Sequence, residues 1–106
     1  METYLNKTVW ITGASSGIGE AVALELSKEK ANLILSGRNE TALEWVGAMC
    51  KANGSEVQIV PFDLGDEKSV INAAETVLKT TQRVDCLYHF GGISQRSFVA
   101  ETPMFV

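Results

Sequence analysis

Four short apolar runs, separated by three segments of helical period, leave this chain few ways to fold. Lys7–Thr12 carries Val9-Trp10-Ile11, and Asn32–Ser36 carries Leu33-Ile34-Leu35. Glu56–Pro61 carries Val57, Ile59 and Val60, and Val84–Phe90 carries Cys86-Leu87-Tyr88. Their apolar character is continuous rather than alternating, the pattern of strands buried on both faces, and so of a parallel sheet. The third run is interrupted by Gln58 and ended by Pro61, as expected near a sheet edge.

The intervening segments each carry one apolar stripe. Ile18, Ala21, Val22 and Leu26 stand at offsets 0, 3, 4 and 8. Ala42, Trp45, Val46, Met49 and Cys50 stand at 0, 3, 4, 7 and 8, and Val70, Ile71, Ala74, Val77 and Leu78 at 0, 1, 4, 7 and 8. Such spacing predicts three amphipathic helices with Trp45 and the methionines in the core. Asn39 and Asp66 are candidate N-caps, and Asn53-Gly54 a left-handed stop.

Strand and helix therefore alternate from the first run to the fourth. Right-handed crossovers place the first two helices on one face and the third on the other. With the runs numbered in chain order, the strand order is 3-2-1-4 and the direction of winding switches between the first and fourth strands. Ligands of open α/β sheets bind outside the carboxyl ends of the strands at such a switch. The fourth run is expected to form an unpaired edge. That edge and the partly uncovered sheet face predict self-association.

Composition narrows the function classes. The chain has 106 residues, 45% hydrophobic and 21% charged, with net charge −4. That excludes a disordered or low-complexity chain, and argues against partners such as nucleic acid or an anionic membrane. No apolar run has the length of a membrane span, and Met1-Glu2-Thr3 does not open a signal peptide. Cys50 and Cys86 fall in no metal-ligand spacing and are expected to be reduced core thiols, so the expected setting is the cytoplasm.

The chemistry is concentrated after the first strand, in Thr12-Gly13-Ala14-Ser15-Ser16-Gly17-Ile18-Gly19. A glycine-rich turn between a buried strand and a helix lets backbone N–H groups and the positive helix end face a pyrophosphate. Gly13 makes the tight turn, Gly17 removes a Cβ from the path of the phosphates, and Gly19 allows the helix to pack closely.

With three residues between the first two glycines and one between the last two, this segment resembles the cofactor signature of the short-chain dehydrogenase/reductase family. The likeness continues through Ser36-Gly37-Arg38-Asn39, Phe62-Asp63-Leu64 and Val84-Asp85-Cys86-Leu87. It implies a Rossmann-type doubly wound parallel α/β sheet, present here in part, and a single incomplete NAD(P)-binding domain over residues 1–106. The cofactor-binding residues implied are Gly13, Ser15, Ser16, Gly17, Ile18, Gly19, Arg38, Asn39, Asp63, Leu64, Gly91 and Gly92, with no metal site.

Within that resemblance, Gly37 stands where NAD-preferring members carry Asp, and Arg38 follows. An arginine offers a planar fork to the 2′-phosphate of NADP, whereas a carboxylate bonds the ribose hydroxyls of NAD. NADP is therefore expected over NAD, the alternative being that Arg38 is a solvated residue at a helix start. Asp63 matches the position that bonds the adenine amino group, with Leu64 contributing backbone; alternatively it caps the third helix. Where the family expects Asn-Asn-Ala-Gly, this chain has His89-Phe90-Gly91-Gly92. The glycines keep the small profile beside the ribose. His89 can replace one lost amide as a donor, or serve only as a satisfied core residue. Lys30 stands where a glycine usually ends the first helix.

The family's catalytic Tyr-x-x-x-Lys has no counterpart in the sequence. Tyr4 and Tyr88 are followed four residues later by Thr8 and Gly92, so no catalytic residue is assigned. The expectation is the amino-terminal half of an oxidoreductase, one that interconverts a small-molecule carbonyl and a secondary alcohol by hydride transfer and forms a homo-oligomer. The alternative is a non-catalytic nucleotide-binding module or an inert fragment.

Overall fold

In the computed structural model, β1 (Thr8–Thr12) lies at the centre of a sheet with β2 (Asn32–Ser36) and β4 (Cys86–His89) as parallel neighbours. The structure describes residues 4–15, 17–63, 65–81 and 83–90, and the backbone of 100–103. β3 (Val57–Ile59) pairs in parallel with β2, and β5 (Ala100–Pro103) pairs antiparallel with β4. The strand order is β3-β2-β1-β4-β5. The first four strands are thus in the order expected from the sequence. The fifth corrects the expectation of an open β4 edge, because Cys86 stands opposite Pro103 and His89 opposite Ala100.

Three helices fill the crossovers: α1 (Gly17–Lys28), α2 (Glu40–Ala52) and α3 (Glu67–Thr80). Two separate cores show which face each covers. Ala23 and Leu26 of α1 and Leu43, Val46 and Cys50 of α2 join Val9, Ile11, Leu33, Leu35 and Cys86 on one side. Ala73 and Val77 of α3 join Ile34, Val60, Phe62 and Val84 on the other, with Trp10 packed against them. These are the faces that right-handed crossovers require. Cys50 and Cys86 are both buried.

Helix ends follow their local chemistry. Asn39 caps α2 by accepting from the Ala42 N–H at 3.0 Å, and Asp66 caps α3 by accepting from Lys68 and Ser69. Lys30 follows α1 in the left-handed region, φ 64°, where a glycine would be unstrained.

The buried helix faces are rotated from the predicted stripes. α2 buries Leu43, Val46, Gly47 and Cys50, while Trp45 is 64% exposed and Met49 half-buried. Gly47 causes the shift: a Cβ there would lie 3.0 Å from Ile59 Cδ1, so the helix settles onto β3 through its glycine. α1 likewise packs through Gly19, Ala23 and Ser27, leaving Ile18 exposed. The Ser27 hydroxyl donates to the Leu24 carbonyl and accepts from Asn53 Nδ2 at the end of α2. Ile71 and Leu78 of α3 are also exposed, contrary to the predicted stripe.

Candidate functional site

The four parallel strands end at one rim of the sheet, and the loops that leave them are joined there by backbone hydrogen bonds. The Ala14 N–H donates to the Ser36 carbonyl at 3.0 Å, linking the turn after β1 to the end of β2. Phe62 N–H donates to the Gly37 carbonyl at 3.0 Å, and Phe90 N–H to the Thr12 carbonyl at 3.1 Å. Pairing thus continues past the strand ends and holds four loops side by side at the switch between β1 and β4.

Each glycine of the first turn has its own reason. Gly13 and Gly17 have φ of 74° and 62°, left-handed values that cost a residue with a Cβ roughly 1–2 kcal/mol. In front of Gly17, a Cβ would meet nothing within 4 Å. At Gly19 it would stand 2.0 Å from the Gly13 carbonyl oxygen. Gly17 therefore faces open space at the helix start, whereas Gly19 is pressed against backbone. Ile18, between them, is exposed at 49%.

The loop after β2 reaches the same rim. Gly37 is buried, and a Cβ there would come within 3.3 Å of Ser15 Oγ. Ser15 thus occupies room that a side chain at position 37 would take, a contact between two motifs that their separation in sequence hides. Arg38 is exposed and, among the described residues, makes no hydrogen bond or ion pair. The Asn39 side chain is committed to its cap.

After β3, Asp63 is exposed, and its carboxylate accepts from the Gly65 N–H at 2.9 Å. The cap of α3 is Asp66, so the alternative in which Asp63 caps that helix does not hold. Ser16, Leu64, Gly91 and Gly92 lie outside the described residues. At the end of β4, His89 is the register partner of Thr12, and its Nδ1 is hydrogen-bonded to Thr12 Oγ1. The sequence singled out His89 but not its partner, because strand register is not visible in composition or spacing.

The rim can hold a phosphorylated ligand. It joins a helix N-terminus, an open approach at Gly17 and a guanidinium that is unpaired among the described residues, features suited to anionic groups. No group of three His, Cys, Asp or Glu among the described residues is placed to hold a metal, and no helix among them is long and apolar enough to cross a membrane.

Comparison with known proteins decides the lineage. The sequence profile described as "short chain dehydrogenase" matches residues 7–104. The chain belongs to the short-chain dehydrogenase/reductase family. It is 44% identical over 102 residues to "Dehydrogenase/reductase SDR family member 7" of Mus musculus, covering 92% of this chain and 30% of that protein. Among solved structures, a metagenomic short-chain oxidoreductase in complex with NADP superposes with a TM-score of 0.74 at 31% identity. It covers 80% of this chain and 39% of its own. NAD⁺-bound xylitol dehydrogenase gives a TM-score of 0.75 at 30% identity, covering 81% and 33%. This short-chain dehydrogenase/reductase chain thus has the family's cofactor-side architecture. It spans about a third of the length of the curated relatives it matches. Family structures of this likeness hold either nucleotide, one NADP and one NAD⁺.

Proposed function

We propose that the chain supplies the dinucleotide-binding part of an NADP(H)-dependent oxidoreductase that interconverts a small-molecule carbonyl and a secondary alcohol. The observation that carries the cofactor choice is Arg38, exposed and without a partner among the described residues, directly after the buried Gly37. No carboxylate stands at the end of β2 to receive ribose hydroxyls; Glu40 lies in the first turn of α2. Arg38 would grip the 2′-phosphate as a charged fork, with Ser15 beside Gly37 as a second donor.

The open approach at Gly17 fits a pyrophosphate lying against the start of α1, where backbone N–H groups face its charge. Asp63 and Leu64 would receive the adenine, and Gly91 and Gly92 would pass beside a ribose. When bound, the nicotinamide supplies or accepts hydride; the protein orients it and excludes competing reactions. The buried thiols of Cys50 and Cys86 suit a cytoplasmic setting, and a homo-oligomer is part of the same proposal.

A second reading, a nucleotide-binding module without catalysis, is favoured by one observation. Neither Tyr4 nor Tyr88 is followed four residues later by a lysine. Turnover separates the two: NADPH oxidation by the whole protein with a panel of aldehydes and ketones supports the oxidoreductase, and binding without turnover supports the module. Arg38→Ala tests the cofactor choice. Titration should show NADPH binding weakened by about 1–3 kcal/mol with NADH nearly unchanged. Equal losses for both nucleotides would remove the role assigned to Arg38.

A further inference from the structure

The turn that closes α2 contains Asn53-Gly54, and of the five asparagines in the chain only Asn53 precedes a glycine. An asparagine so placed can react with its own backbone. The Gly54 nitrogen, after losing its proton to hydroxide, bonds to Asn53 Cγ. The Cγ–Nδ2 bond breaks, and the nitrogen leaves as ammonia with a proton from water. Water then opens the cyclic imide at either carbonyl, which leaves aspartate or isoaspartate at position 53. Glycine favours the closure because no Cβ hinders the approach of its backbone.

The fold holds the reacting atoms apart. Asn53 is helical, with φ −83° and ψ −5°, and the Gly54 N–H donates back along α2 to the Lys51 carbonyl at 2.9 Å. Ring closure must turn that peptide plane and break the bond. The side chain is tied as well, since Asn53 Nδ2 donates to Ser27 Oγ at 2.8 Å. Ser27 is fully buried, and its own proton is committed to the Leu24 carbonyl at 2.6 Å. Ser27 Oγ therefore faces Asn53 as an acceptor, and the group opposite it must be a donor. An amide supplies one, whereas a carboxylate does not. Gly54 is exposed, so hydroxide and water reach its nitrogen once the turn opens.

We propose that Asn53 is a latent self-modification site, kept unreacted by the end of α2 and by Ser27, and that its conversion loosens α2 from α1. Aspartate sets a carboxylate oxygen against the Ser27 oxygen, with no proton between them. Isoaspartate also lengthens the backbone just ahead of Ser55. That residue is held by its N–H to the Cys50 carbonyl at 3.2 Å and by its hydroxyl to the Ser27 carbonyl at 3.3 Å.

Peptide mass mapping of the 106-residue protein, kept folded or in urea in mildly alkaline buffer, reads the conversion at each asparagine. In urea, Asn53 should convert faster than Asn6, Asn32, Asn39 and Asn72. In the folded protein it should convert at least about tenfold more slowly, because the bonds to Lys51 and Ser27 must open first. Folded Ser27→Ala should convert about two- to tenfold faster than folded wild type, the factor that one hydrogen bond carries. The converted chain, separated by its added negative charge, should unfold at a lower urea concentration than the unconverted chain.

No preference for Asn53 in urea would overturn the site itself. Equal rates for the folded and the urea-treated wild type would overturn the protection, a comparison that does not depend on how Ser27→Ala folds. A folded Ser27→Ala that converts no faster would remove Ser27 from the device. Equal unfolding midpoints for converted and unconverted chains would overturn the link to stability.

Discussion

The carbonyl oxygen of Gly13 fills the space that a Cβ on Gly19 would need, 2.0 Å away, so the first turn of α1 rests directly on the turn that precedes it. Gly19→Ala must push backbone from backbone. It should cost about 2–4 kcal/mol in urea unfolding, the range of overpacked or strained core sites. Gly17→Ala meets no atom and pays only for its left-handed φ of 62°, about 1–2 kcal/mol. It should fold and yet bind NADPH poorly, because the methyl group enters the approach to the helix start. Similar stability losses with intact binding in both variants would contradict the division of roles between these glycines.

The rotation of α2 gives a contrast between adjacent faces. Leu43 is fully buried and Trp45 is 64% exposed. Leu43→Ala should destabilise by about 2–5 kcal/mol. Trp45→Lys, although it removes the larger side chain, should stay within roughly 0.5 kcal/mol of wild type. Thermal or urea unfolding of the two variants measures both, and the opposite ranking would restore the stripe predicted from the sequence.

Burial pushes the Cys50 thiol up from its ordinary value of 9.0, and the Ser27 hydroxyl beside it pulls weakly the other way. The unfolded chain therefore releases this proton at lower pH than the folded one. The thiol's contribution to stability is complete below the unfolded value and declines as pH rises from about 9 towards the raised folded value. Cys50→Ala, whatever it costs at neutral pH, should lose less further stability than wild type between pH 8 and pH 10. A wild-type curve no steeper than that of the variant would count against this account.

Pairing of β5 with β4 bears on association. A chain lacking residues 100–106 would expose the hydrogen-bonding groups of Cys86–His89. Unpaired strand edges recruit other chains. Light scattering should report larger species for the shortened chain than for the full one at equal concentration. Equal sizes would show that β5 does not guard this edge.

Much of this was legible in the sequence, and the exceptions share a cause. Continuous apolar runs such as Leu33-Ile34-Leu35 mark buried parallel strands, and Asn39 and Asp66 carry their capping function in their side chains. Gly13 takes the left-handed φ of a tight turn and Gly19 is pressed against backbone, as their spacing implies. What a count of apolar residues could not see was packing through small residues. Gly47 and Ser27 are buried, while Trp45, Ile71 and Leu78 are exposed. A helix turns its least bulky side towards a sheet that it approaches closely, and that side is invisible to a hydrophobic stripe. The contacts of Ser15 with Gly37 and of Thr12 with His89 depend on strand register, which long-range pairing decides. β5 escaped notice because Ala100-Glu101-Thr102-Pro103 has no apolar run; its backbone pairs where its side chains give no sign.

The bonds from Ala14 to Ser36, from Phe62 to Gly37 and from Phe90 to Thr12 carry one last consequence. They draw loops, ordinarily the loosest parts of a fold, into the slow-opening part of the chain, so these amides should exchange with solvent deuterium at rates closer to those of strands than of turns. A ligand settling on such a rim finds its donors already held in place. Little chain entropy is lost on contact, and more of the interaction appears as affinity.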